Sequence, residues 1–105
     1  MNRGDVWLVA LDPTQGSEIR KTRPCVVVSP AELIDHLRTV IVAPMTTGSR
    51  SAPFRVAHRF RGKAGFILPE QVRAVDKSRL VKRLGAADPD ALAATLRLLR
   101  EMFGE

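Results

Sequence analysis

The stretch "GSEIRKTRPCVVVS" (residues 16–29) joins a charged, hydroxyl-rich segment to a run of β-branched residues through an Arg-Pro pair. The run 25–29 predicts a buried strand, because β-branched residues fit a covered pleated surface. The twelve residues 13–24 predict a loop, since Pro13 and Gly16 interrupt any regular element. Long loops in compact domains are often functional. The question is therefore whether this segment is a solvated loop or a site.

Strand-forming runs continue on both sides of this stretch. We expect strands over residues 5–12, 25–29, 38–45 and 54–60, and shorter ones over 66–69, 71–75 and 81–85. The residues "RGKAG" (61–65) predict the turn between two of them. Ser29 as N-cap and Pro30 at the first helical position predict a short helix over 30–37.

The C-terminal segment 88–104 predicts the one long helix. Asp88 suits the N-cap and Pro89 the first turn. An apolar stripe at helical spacing would dock on the sheet, and it comprises Leu92, Leu96, Leu99 and Phe103. Leu98 and Met102 form a smaller second face. Many short strands and one terminal helix predict a mainly β, small antiparallel barrel with short helices, folded as a single domain over 1–105.

The net charge of the chain indicates which kinds of binding partner to expect. Seventeen Lys and Arg face eleven Asp and Glu, which gives a net charge of +6. Such a surface attracts polyanions, but it does not choose between RNA, DNA, a membrane surface and an acidic protein. The chain has no apolar run of membrane-span length, and "MNRGDVW" (1–7) has no signal-peptide pattern. We therefore expect a cytoplasmic protein without a membrane partner.

The residues exclude several kinds of chemistry. The chain has no CxxC pair, HExxH motif, nucleotide-binding glycine pattern or GxSxG elbow. Cys25 and Trp7 are expected in the core, and His36 and His58 at the surface. Enzymatic chemistry would then use Arg, Lys, Glu, Asp, Thr and Ser. RNA carries its own nucleophile, the 2′-OH, so a carboxylate, an arginine and hydroxyl donors suffice to cleave it without a metal.

Three segments resemble the signatures of the MazF/PemK toxins, and the terminal helix follows in place. They are residues 3–30, 39–48 and 62–80. The resemblance implies an SH3-like barrel, a homodimer and cofactor-free, metal-independent cleavage of single-stranded RNA at short sequence motifs. The implied products carry a 2′,3′-cyclic phosphate or 3′-phosphate and a 5′-OH. The implied protein partner is a cognate antitoxin whose flexible acidic C-terminal tail occupies the RNA groove.

The resemblance also implies the catalytic residues. Arg23 matches the family's catalytic arginine, and its guanidinium suits a phosphate and the charge of the transition state. Thr46 matches the second catalytic residue, a hydroxyl donor. Glu18 matches an acidic position and is a candidate general base or orienter of Arg23.

Further residues are expected to contact RNA. They are Ser17, Arg20, Lys21, Thr47, Arg50, Arg61, Glu70 and Gln71, and the basic members are alternatively contacts of the antitoxin's acidic tail. The Gln71 amide could bind the edge of an RNA base, and a structural role fits it equally well. Many relatives carry aspartate where this chain has Glu70. The longer side chain weakens the case for a direct catalytic role of Glu70 and leaves RNA contact and loop structure open.

Two alternatives remain at this stage. One is a toxin of the same fold that poisons DNA gyrase, a branch that relies on a Trp-Gly-Ile ending, where this chain reads "REMFGE" (100–105). The other is an RNA-binding barrel without catalysis. Cleavage of RNA separates both from the endoribonuclease hypothesis.

Overall fold

A computed structural model describes residues 1–11 and 22–105, and within these residues it has seven strands and two α-helices. The strands are β1 (Asp5–Ala10), β2 (Thr22–Val27), β3 (Thr39–Thr46), β4 (Val56–Phe60), β5 (Lys63–Ile67), β6 (Arg73–Asp76) and β7 (Leu80–Ala86). The helices are α1 (Ala31–His36) and α2 (Pro89–Phe103), and short 3-10 turns occupy Pro69–Gln71 and Lys77–Arg79.

All the strands pair antiparallel in one curled sheet. The order is β4-β5-β3-β2-β1-β7, and β6 joins at β3. One edge of β3 is shared, since its first half pairs with β6 (Val42 opposite Arg73) and its end pairs with β5 (Thr46 opposite Phe66). The prediction of a mainly β, antiparallel fold with a C-terminal helix is confirmed.

The apolar run of β2 is buried on both faces. Val26 and Val28 belong to a cluster that the leucines of α2 cover, whereas Cys25 and Val27 belong to a second cluster with Ile34 of α1. Successive side chains of a strand point to opposite faces, so a strand covered on both sides is apolar at every position. This explains why no polar residue interrupts the run.

Cys25 and Trp7 both pack in the second cluster. Cys25 is fully buried as expected, and burial raises the pKa of its thiol to about 12, with the nearby guanidinium groups acting in the opposite direction. Trp7 is half-buried, and its indole N–H has no hydrogen-bond partner among residues 1–11 and 22–105. Both serve the core, and Cys25 is held as an unreactive thiol.

Strand β2 begins earlier than the sequence predicts. Arg23 and Pro24 lie inside the strand, where Arg23 pairs with Val9 of β1. The predicted loop over 13–24 is therefore wrong at its end. Proline is tolerated there because the register of β2 with β3 starts only at Cys25, so the missing N–H of Pro24 removes no bond from that ladder.

The prediction of Ser29 as the N-cap of α1 is wrong. Pro30 occupies that position without a side-chain cap, and the Ser29 hydroxyl accepts the backbone N–H of Ile41 at 2.6 Å. Ser29 is only 1% exposed. A buried hydroxyl needs a hydrogen-bond partner, and here that partner is a backbone N–H of β3 and not one of the helix.

Helix α2 has Asp88 at its N-cap position and Pro89 at its first residue, as predicted. The stripe of leucines packs on the first cluster, and Leu98 joins it there. Phe103 is 77% exposed, so its expected place in the docking stripe is wrong. It is the last helical residue. No helix within residues 1–11 and 22–105 is long and apolar enough to span a membrane.

The β4–β5 hairpin has a two-residue turn. Arg61 and Gly62 have φ angles of 51° and 81°, as a type I′ turn requires at both central positions. The predicted turn over 61–65 is therefore too long, because Lys63 pairs with Phe60 and Gly65 with His58 inside the hairpin.

Candidate active site

The sheet brings the ends of β2 and β3 together. Their antiparallel register pairs Cys25 of β2 with Pro44 of β3, and Arg23 and Thr46 each lie two residues from this pair, near the start of β2 and at the end of β3. Both residues line one groove of about 620 Å³. Two sequence motifs more than twenty positions apart therefore contribute to one groove.

The groove has a positively charged lining. Arg23, Arg61 and Lys63 contribute side chains to it. None of the described residues that line it carries a carboxylate. The other lining residues are Thr22, Pro24, Met45, Thr46, Thr47, His58, Phe60, Gly65, Phe66 and Leu84. Three cations around a concave site favour an anion such as a phosphodiester.

The backbone at Arg23 is anchored on one side by the core. Its neighbour Pro24 fixes φ and restricts Arg23 to an extended conformation, which matches its place in β2. Two residues further on, the buried Cys25 thiol lies 3.6 Å from the Arg23 carbonyl as a weak donor. A planar guanidinium held on such a base can bind two phosphate oxygens in parallel.

The hydroxyl of Thr46 has a defined orientation. Its Oγ1 accepts the backbone N–H of Gly48 at 3.1 Å. A hydroxyl has one hydrogen to donate, so an accepted bond from the loop leaves that hydrogen available to a ligand oxygen. Thr47 also lines the groove and is exposed. The arrangement can hold a phosphate between a cation and a hydroxyl donor.

Gly65 sets the distance between β5 and the end of β3. A Cβ at this position would lie 2.2 Å from the Thr46 carbonyl oxygen and 3.1 Å from the Thr47 Cα. No side chain fits against that backbone. Sequence reasoning missed Gly65 because it placed the residue in a turn; the available signal was a glycine that directly precedes the apolar run of a strand.

The prediction that His58 lies at the surface is wrong, since it is 8% exposed and lines the groove. It shares the inward face of β4 with Val56 and Phe60. This two-residue alternation is readable in the sequence and could have found it. Its ring lies 6.1 Å from that of Phe60 in a stacked arrangement.

The ring of His58 is held in its neutral form. Nε2 accepts the backbone N–H of Asp88 at 3.2 Å, which places the ring proton on Nδ1, and Nδ1 is buried with no hydrogen-bond partner among the described residues. Burial lowers the pKa of His58, while the Asp88 carboxylate acts in the opposite direction. His58 therefore joins the groove to the start of α2.

Of the predicted site residues that the structure describes, four line the groove: Arg23, Thr46, Thr47 and Arg61. The Arg61 guanidinium donates to the Leu84 carbonyl and lies 5.7 Å from the centre of the Phe60 ring. It therefore closes one end of the groove against β7.

The remaining predicted residues fall into two groups. Arg50, Glu70 and Gln71 are not among the groove residues, and Glu70 pairs with Arg55. Ser17, Glu18, Arg20 and Lys21 lie outside the described residues. Within residues 1–11 and 22–105, no three His, Cys, Asp or Glu side chains are grouped so that they could hold a metal ion.

Comparison with known proteins places this geometry in a family. The model of the PemK-like, MazF-like toxins of type II toxin–antitoxin systems matches residues 2–103. Endoribonuclease PemK of Escherichia coli is 41% identical over 90 residues, which are 80% of this chain and 68% of that protein. Endoribonuclease toxin MazF of Escherichia coli K12 is 33% identical over 102 residues, which are 96% of this chain and 92% of that protein.

Solved structures agree with the sequence relatives. MazF in a MazE–MazF crystal structure from Deinococcus radiodurans matches with a TM-score of 0.86 at 27% identity, over 99% of this chain and 96% of that chain. A MazF crystal structure from the same organism matches with a TM-score of 0.84 at 27% identity, over 100% of this chain and 97% of that chain. The chain therefore belongs to the family of PemK-like, MazF-like toxins of type II toxin–antitoxin systems.

Proposed function

We propose that this protein is a sequence-specific endoribonuclease toxin that cleaves single-stranded RNA without a metal ion. The observation that carries the proposal is the meeting of Arg23 and Thr46 in one cationic groove. Relatives named endoribonucleases PemK and MazF, at 41% and 33% identity, support it. Cleavage of mRNA by such an enzyme stops translation.

The reaction uses the substrate's own nucleophile. The 2′-oxygen attacks the adjacent phosphorus and loses its proton to a general base; the bond from phosphorus to the 5′-oxygen breaks, and that oxygen takes up a proton. The products are a 2′,3′-cyclic phosphate and a 5′-OH. Arg23 binds the non-bridging oxygens, whose negative charge grows in the transition state, and Thr46 donates a hydrogen bond to the same phosphate.

Glu18, which lies outside the described residues, keeps its two predicted roles, as the general base or as an orienter of Arg23. The RNA contacts that the family resemblance implies stay part of the proposal. Outside the described residues they are Ser17, Arg20 and Lys21, and among the described residues they are Thr47, Arg50 and Arg61. We propose that Arg23 acts by charge and geometry and not as a base, because a guanidinium hardly deprotonates.

The partners follow from the same groove. A lining with three cations and, among its described residues, no carboxylate suits an acidic peptide as well as RNA. We propose that a cognate antitoxin inserts a flexible acidic C-terminal tail there, and relatives solved as MazE–MazF complexes support such a partner. A homodimer in the cytoplasm belongs to the same proposal, and light scattering of the purified protein tests the dimer.

The decisive experiment incubates the purified protein with a long single-stranded RNA of known sequence, in excess EDTA and in Mg²⁺. We expect cleavage at a short recurring motif in both buffers, with 5′-OH ends that a kinase can label directly. RNA that stays intact in both buffers would reject the nuclease, and cleavage only with Mg²⁺ would reject the metal-free mechanism. Salt-dependent binding without cleavage would leave the non-catalytic RNA-binding barrel.

A further inference from the structure

Arg55 holds the segment that connects the groove to β4. Its backbone N–H donates to the Ala52 carbonyl at 3.0 Å, and its Nη1 donates to the Arg50 carbonyl at 3.1 Å. Its guanidinium also lies 5.5 Å from the centre of the Phe54 ring. The backbone and side chain of Arg55 together thus close residues 50–55 into a compact turn.

The same guanidinium reaches a second part of the chain. Nε and Nη2 of Arg55 both donate to Oε2 of Glu70, at 3.0 and 2.9 Å. Glu70 lies on the 3-10 turn Pro69–Gln71, directly after β5, and the N–H of Leu68 at the start of that turn bonds to the Pro44 carbonyl of β3. The pair therefore ties segment 47–55 to the sheet beside the groove.

We infer that Arg55 and Glu70 are positioning residues that set the conformation of segment 47–55, and through it the RNA sequences that the enzyme accepts. The segment starts in the groove at Thr47 and carries Arg50, a predicted RNA contact. Reading a base edge requires donors and acceptors held in place before binding. The inference rests on the proposed function for its link to RNA, but not for its claim about the segment.

Charge argues against direct RNA contact by Glu70. A carboxylate repels phosphate, and one oxygen of this carboxylate already accepts two N–H donors. Pairing also neutralises Arg55, which removes it from the cations available to RNA. The two side chains are 21% and 26% exposed, so solvent screens the pair in part and its fixed geometry matters more than its bare Coulomb attraction.

The test is a double-mutant cycle with Arg55→Gln, Glu70→Gln and both together, on an RNA containing the mapped cleavage motif. We expect each single variant to raise KM by roughly three- to tenfold with kcat nearly unchanged, and to cut additional, related motifs. The double variant should be no worse than either single one, because each residue acts through the other. Arg55→Lys should behave like Arg55→Gln, because lysine keeps the positive charge but lacks the paired N–H donors of the guanidinium.

Additive losses, or a loss of kcat specific to Glu70→Gln, would overturn the inference and return Glu70 to direct contact or catalysis. Arg97→Gln, which removes one exposed positive charge from α2, is the matched control and should change neither KM nor motif. If all three variants have a lower melting temperature and unchanged motif preference, the Arg55–Glu70 pair is only structural and the inference is wrong.

Amide hydrogen exchange separates this inference from the proposed function. In Arg55→Gln, exchange should accelerate in residues 47–55 and stay unchanged in β1 and β2. Unchanged exchange in 47–55 would reject the positioning role even if the wild-type protein cleaves RNA. Accelerated exchange in Arg55→Gln, together with a wild-type protein that cleaves no RNA, would reject the proposed function and keep the positioning of the segment.

Discussion

The two walls of the groove are built differently. The strand-end wall consists of Arg23, near the start of β2, and Thr46, at the end of β3. The residues that follow Arg23 in β2 and those that precede Thr46 in β3 are buried on both faces of the sheet. The hairpin wall consists of His58, Phe60, Arg61 and Lys63, on the β4–β5 hairpin, where burial alternates along β4 and the turn is exposed. The core thus fixes the wall that carries the predicted chemistry, whereas the hairpin wall presents charge and aromatic surface.

The largest effect should come from the strand-end wall. We expect Arg23→Ala to lower kcat by about 10²- to 10³-fold, because a preorganised charge at the transition state is lost. Thr46→Val, which keeps the shape and removes the hydroxyl, should lower kcat less. Single-turnover cleavage of RNA measures both, and circular dichroism checks that the variants stay folded. Undiminished kcat in both would remove the strand-end wall from catalysis.

The spacing between the walls depends on Gly65. We expect Gly65→Ala to lower the free energy of unfolding by about 1–3 kcal/mol and to reduce cleavage, since its Cβ would lie 2.2 Å from the Thr46 carbonyl oxygen. Gly48→Ala is the control, because its Cβ would meet only Thr46 Oγ1 at 4.0 Å. Urea denaturation and cleavage assays test the pair, and equal stability of the two variants would contradict the close approach.

The hairpin wall should affect binding more than turnover. Lys63→Gln should weaken RNA binding a few-fold at unchanged kcat, and the slope of log K against log salt should become shallower by about 0.7, the value for one phosphate contact on a single strand. Fluorescence anisotropy with an RNA that carries a 2′-deoxy sugar at the cleavage site measures binding alone. A drop in kcat as large as that of Arg23→Ala would erase the distinction between the walls.

The smallest effect should be the pH dependence that His58 adds. Because its pKa is lowered in the folded protein, the unfolded state takes up the proton first, so stability is lost as pH falls below the ordinary value of 6.5. The slope should stay below about 1.4 kcal/mol per pH unit, the limit for one proton. Urea denaturation between pH 5 and 8 should show a weaker dependence in His58→Gln than in wild type.

His36→Gln is the matched control for this measurement, since His36 is exposed on α1. Its curve should follow the wild type. If His36→Gln removes the dependence and His58→Gln does not, the buried neutral histidine is not its source.

Local pattern predicted most of the elements and failed at their junctions. The β-branched run and the leucine stripe were enough to place β2 and α2. Proline signals a break, so the local pattern predicts a loop through Arg23 and Pro24, yet pairing with β1 extends the strand through them. Ser29 suits a helix cap by type, but it bonds to β3 instead. A junction depends on which partner is near, and residue type does not state that.

For the site, the sequence by itself determined the chemical inventory: a basic chain, an Arg-Pro pair before an apolar strand, and a threonine pair after another. It also carried the motifs that identify the family. The tertiary structure alone decided that Arg23 and Thr46 share a groove and that His58 is buried beneath it. It likewise decided that Glu70 pairs with Arg55. Composition and order are local properties of the chain, whereas register and contact between strands arise only when distant segments pair.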